Sequence, residues 1–95
     1  MELNQRQRQL GEVLKQPFGD FFRNHLDPQE FGLTTVIDVI VSPNLAKVEI
    51  WLSCLGTAKG DLEKRLEQYV PELIKIVHRH IHQRRKLHLA FRIAD

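Results

Sequence analysis

A chain of 95 residues, 42% of them apolar and 27% charged, is long enough for one domain over residues 1–95 and too short for two. Its single cysteine, Cys54, excludes an internal disulfide framework and suits a reducing compartment. No apolar run approaches the ~18 residues of a membrane span, and "MELNQRQRQL" lacks the apolar stretch of a secretory leader, so a cytoplasmic protein with no membrane partner is expected. The net charge of +2 hides an asymmetry: residues 17–74 sum to −4 and residues 75–95 to +5.

Along the chain, Leu10, Val13, Leu14, Phe18, Phe21 and Phe22 recur at steps of three or four and predict a first helix with one apolar stripe. Pro17 removes a backbone donor inside that stripe and predicts a bend or division near Gln16. "DPQEFG" supplies the exit, since Pro28 cannot continue the helix and Gly32 permits a turn. Two strands follow. In "LTTVIDVIVS", Leu33, Thr35, Ile37, Val39 and Val41 are expected on one face, with Thr34, Val36, Asp38, Ile40 and Ser42 on the other. In "AKVEIWLSCL", Ala46, Val48, Ile50, Leu52 and Cys54 form an apolar face, and Lys47, Glu49, Trp51 and Ser53 point away. "SPNL" places Pro43 and Asn44 at turn positions and predicts an antiparallel hairpin.

Asp61 is the expected N-cap of a further helix whose buried side carries Leu62, Leu66, Tyr69 and Val70. Pro71 breaks it around Val70 and suits the start of a new helix, in which Leu73, Ile76 or Val77, and Ile81 continue the stripe. The last strand, "KLHLAFRI", turns Leu87, Leu89, Phe91 and Ile93 inward. A strand–helices–strand connection within one sheet is a right-handed crossover to a parallel neighbour. The expected fold is therefore α+β: helix, strand, strand, helix, kink, helix, strand, with a three-stranded mixed sheet and its helices on one face.

That order, with "DP" at Asp27 and Pro28 and the stretch "LTTVIDVIVSPNLAKVEIWLSCLG", resembles the ribosome-binding factor A family. This is a bacterial family of type II KH-like fold that helps to mature the small ribosomal subunit. Its middle helix carries an "A-x-G" kink, and "YVP" (Tyr69, Val70, Pro71) falls at the matching place with proline for glycine. The resemblance implies a single KH-like RNA-binding domain and a monomer acting on the small ribosomal subunit (30S) and its rRNA. It implies no cofactor, small-molecule substrate or enzymatic activity.

Residues 75–86 hold five cations, Lys75, Arg79, Arg84, Arg85 and Lys86, and no acid. Lys75, Arg79 and then His82 or Gln83 would share a solvent-facing ridge opposite Leu73, Val77 and Ile81. Such a ridge suits phosphate oxygens, with Arg6, Arg8 and Arg92 as secondary cations; equally, charge runs of this kind are common as solvated helix faces. His78 and His82 share a helical face, yet no third ligand is in view, so no metal is expected; protonated imidazoles would instead add to phosphate binding. No nucleophile, phosphate-loop or dinucleotide motif is present, and no catalytic residue is assigned. Trp51, on the polar face of its strand, is either a stacking or partner contact or a cover for a neighbouring side chain. An alternative function follows from it: a protein-interaction module of the same fold that uses the open sheet face.

Overall fold

The computed structural model describes residues 4–56, 61–82 and 86–94. The elements run α1 (Gln5–His25), α2 (Pro28–Phe31), β1 (Leu33–Val41), β2 (Lys47–Leu55), α3 (Leu62–Gln68), α4 (Val70–His80) and β3 (His88–Ala94). β1 and β2 form the antiparallel hairpin, and β3 lies parallel to β2 on its far side, giving the sheet order β1-β2-β3. The α+β order and the mixed sheet read from the sequence are therefore present, with α2 as an added single turn. Asp27 caps α2 by accepting from the Gln29 N–H at 2.9 Å, and Pro28 opens its first turn.

The core lies between one sheet face and the helices. Val48, Ile50 and Leu52 of β2 meet Leu14, Phe18 and Phe22 of α1, Leu66 of α3 and Leu73 and Val77 of α4, all essentially inaccessible to solvent. Ile81 and Leu87 are buried on either side of the α4–β3 connection. At the hairpin turn Asn44 organises the chain. Its side-chain oxygen accepts from the Ser42 hydroxyl (2.7 Å) and the Ala46 N–H (3.1 Å), while Leu45 takes a left-handed φ of 61°.

Three expectations need correction. First, of the bend or division expected at Pro17, division does not occur: α1 is a single helix of 21 residues with Pro17 inside it. The bond that Pro17 cannot donate would go to the carbonyl of Val13, a residue on the exposed side of the helix, while Leu14, Phe18 and Phe22 hold both halves on the core. Second, Val13 does not belong to the buried stripe; Gln7 and Gly11 do. Gln7 donates from Nε2 to the Val41 carbonyl at 2.7 Å, and a Cβ at Gly11 would collide with the Val39 carbonyl oxygen. The contact between α1 and β1 is thus made by backbone approach and a side-chain amide.

Third, the alternation of β1 does not run unbroken. The register slips between Val36 and Asp38, so that Ile37 is an extra residue facing no single partner. Beyond the slip the faces exchange. Val39 and Val41 are buried, whereas Leu33, Thr35 and Ile37, expected on the same face as them, are exposed. Thr34 and Val36 take the core side, opposite Cys54 and Leu52.

Candidate nucleic-acid interface

α3 begins at its N-cap Asp61, which accepts from the Lys64 N–H at 3.1 Å, and ends at Tyr69. Tyr69 also starts α4, so the break falls one residue before the expected Val70, with Pro71 in the first turn of α4. The phenol of Tyr69 donates to the His25 carbonyl at 3.2 Å. Its ring meets Phe21 edge-on at 5.2 Å between centroids, and Phe21 stacks on His25 at 4.0 Å. This aromatic cluster fastens the kink to the C-terminal end of α1. It is not visible as a motif because its members stand 44 residues apart in sequence.

From the kink, α4 turns Leu73, Ile76 and Val77 into the core, which leaves Lys75 and Arg79 exposed, four residues apart on the outer side. Arg79 lies in the last turn with His78 and His80, where cations also suit the helix dipole. The ridge stops there. Ile81 is extended (φ −125°, ψ 114°) and buried, so the core pulls the chain out of the helix and His82 does not extend the ridge. For the same reason His78 and His82 share no helical face. Among the described residues no three His, Cys, Asp or Glu side chains gather. Lys86 is exposed just before the buried Leu87. Arg84, Arg85 and Gln83 lie outside the described residues.

Arg6 and Arg8 are brought to the same pole of the molecule. Asn4 and Gln7 form a capping box that starts α1, and Gln7 ties that end to Val41, the last residue of β1. β3 begins at this pole too, where the His88 N–H donates to the Ala46 carbonyl at 2.8 Å. α4 starts near the other end of α1, at Tyr69 and His25, and its last turn leads toward the start of β3. Arg6, Arg8, Arg79 and Lys86 therefore tend to one pole, with Lys47 beside the turn. The carboxylates of α2 and α3, among them Glu30, Asp61, Glu63 and Glu67, sit toward the other.

Pairing divides the cations further. Ion pairs among the described residues engage Lys15 with Glu12 (2.8 Å) and Asp38 (3.7 Å), Arg23 with Asp20 (3.6 Å), Arg65 with Glu30 (3.7 Å) and Arg92 with Glu49 (3.7 Å). None engages Arg6, Arg8, Lys75, Arg79 or Lys86. Arg92 is separated from the helical cations; it lies on the open sheet face, opposite Trp51 in register. Trp51 is half-buried there between Asp38 and Arg92, and its indole N–H is buried with no partner among the described residues. Exposed Leu33, Leu55 and Ile37 lie toward one end of the same face.

No protein-family model matches the chain. By sequence it is 31% identical over 62 residues to ribosome-binding factor A of Alkalilimnicola ehrlichii, a match that covers 65% of this chain and 48% of that protein. The chain thus spans about half the length of this curated relative. By structure it is similar to ribosome-binding factor A of Thermus thermophilus, with a TM-score of 0.70 over 90% of this chain and 92% of that one, at 22% identity. The resemblance to the ribosome-binding factor A family holds in sequence and in fold. At this identity the likeness of the two structures is one of fold. Among the described residues no helix is long and apolar enough to cross a membrane.

Proposed function

We propose that this chain is a non-catalytic, monomeric cytoplasmic factor that binds rRNA of the immature small ribosomal subunit through the cations of α4 and the α1 N-terminus. The observation that carries this reading is that Arg6, Arg8, Lys75, Arg79 and Lys86 are exposed and engage no carboxylate among the described residues, in a chain similar to ribosome-binding factor A. Unpaired cations release counterions from a polyanion, whereas cations already paired gain less. Phosphate contacts of this kind position a protein without reading bases. The kink lacks the glycine-rich loop that clamps single strands, so a folded RNA surface fits better than a gripped strand. Tighter binding to one rRNA conformer than another would shift the population; about 1.4 kcal/mol of preference is tenfold. Arg84 and Arg85 join the reading only as further cations of the segment after α4, and Arg92, paired with Glu49 on the open sheet face, only as a secondary one.

A second reading, a protein-interaction module, rests on the open sheet face, where Trp51 is flanked by strands carrying exposed Leu33, Leu55 and Ile37. Fluorescence anisotropy with small-subunit rRNA separates the two. Lys75→Glu with Arg79→Glu is expected to weaken binding about a hundredfold while Trp51→Ala leaves it unchanged. The reverse pattern would transfer the function to the sheet.

A further inference from the structure

From Leu73 to Ala94 the chain holds no carboxylate side chain, yet it holds four of its five histidines, His78, His80, His82 and His88. Two of these, His78 and His80, flank Arg79 in the last turn of α4, and both are exposed. His78 lies one turn beyond Lys75, beside the cationic ridge. His80 follows Ile76 and Val77 around the helix but stands past the core, at the end of α4 that leads to the pole of Arg6 and Arg8. Neither ring is held by a carboxylate among the described residues. His25 differs, since its Nδ1 donates to the Phe21 carbonyl at 2.8 Å and its ring stacks on Phe21.

The charges around the pair are of one sign. On α4 the neighbours are Lys75 and Arg79, and the helix's one acid of the first turn, Glu72, stands at the opposite end. On α1, Phe21 meets Tyr69 at the start of α4, and Leu10, three turns before Phe21, shares that side. The ionisable residues bordering this side are Arg6, one turn before Leu10, and His25 at the far end. Glu12 is turned away, toward Lys15 and the Asp38 side of the helix. The sheet residues beneath α4, Val48, Ile50 and Leu52, are apolar. α3 meets α4 at Tyr69, so Glu63, Lys64, Arg65 and Glu67 lie beyond the kink, while the connection to β3 adds His82 and Lys86. An imidazole at this place has cations for neighbours and no acid among the described residues. A compensating negative charge has to come from outside.

We propose that RNA binding by this chain takes up protons: His78 and His80 become charged against phosphate oxygens, and affinity rises as pH falls through the range in which imidazole titrates. Such uptake presupposes the rRNA binding proposed above and supplies its regulation. Imidazole changes charge between about pH 5 and pH 8, whereas a phosphodiester does not. Each imidazolium then adds a phosphate contact to those of Lys75 and Arg79. The sign follows from linkage, because a complex that holds more protons than its separated parts is favoured by acid.

The test is fluorescence anisotropy with small-subunit rRNA at about pH 8, 7 and 6 and fixed salt. The chain should bind about tenfold more tightly at the lowest pH than at the highest, and its loss of affinity with added salt should be steeper there by roughly one to two phosphate contacts. His78→Gln with His80→Gln should lose most of that rise, whereas His88→Gln, on the open sheet face beside Lys47, should keep it. In NMR titrations, the midpoints of the His78 and His80 ring protons should move upward when the RNA is added. Binding that is flat in pH, a rise that survives in the double variant, or ring midpoints unmoved by RNA would overturn proton uptake and leave the rRNA reading standing. Absence of binding at every pH would overturn both.

Discussion

Over its first three turns α1 lies directly on β1, with the Gln7 amide on the Val41 carbonyl and Gly11 against the Val39 backbone. Over its last turns it stands off the same strand, and Gly19 faces open space. Charge follows the same division. Arg6 and Arg8 of the close half engage no carboxylate among the described residues, whereas Lys15 and Arg23 further along are held by Glu12, Asp38 and Asp20. The net charge of the chain says little about where it can meet a polyanion. Which cations are left without carboxylates says more.

The close half should break first. Gly11→Val forces a branched side chain into the Val39 carbonyl and should cost about 3 kcal/mol or more in urea unfolding. An unchanged midpoint would mean that α1 does not rest on this edge. Gln7→Leu removes the donor from the Val41 carbonyl and leaves a buried acceptor unpaired, a loss of about 1–3 kcal/mol by the same measurement. In the open half the sign reverses: Gly19→Ala adds a side chain without a clash and should stabilise by roughly 0.5–1 kcal/mol.

The smallest effect is electrostatic. The hydrogen bond to Glu12, followed by the charges of Glu12 and Asp38, raises the Lys15 pKa above its ordinary 10.5 against the opposing pull of burial. A raised lysine stabilises the fold while it is protonated in both states. Its contribution is therefore complete at neutral pH and fades as pH climbs through the raised value. A loss of a few tenths of a kcal/mol, absent from Lys15→Met, should appear in unfolding curves taken above pH 10.5.

Much of this architecture is legible in the residues themselves. The period of two in "AKVEIWLSCL", the turn at Pro43 and Asn44, and the break near Pro71 locate the hairpin and the kinked helices. The register slip at Ile37 is not legible, because β1 has apolar residues in both alternations and only the packing of the helices selects between them. Pro17 misleads for a related reason: a single lost backbone bond is outweighed by Leu14, Phe18 and Phe22 on either side of it. The buried roles of Gln7 and Gly11 carry no hydrophobic signal, although Asn4 and Gln7 do spell a capping box. At the proposed interface, the outward placement of Lys75 and Arg79 follows from periodicity, while the end of the ridge is set by Ile81, whose burial depends on the whole core.

Co-sedimentation of the purified chain with free small ribosomal subunits, at about 50 and 200 mM salt, tests the central claim most directly. Binding at the lower salt, a loss of roughly two orders of magnitude in affinity at the higher, and binding about a hundredfold weaker at the lower salt for Lys75→Glu with Arg79→Glu are expected. Association that ignores both salt and the two reversals would contradict a role for these cations.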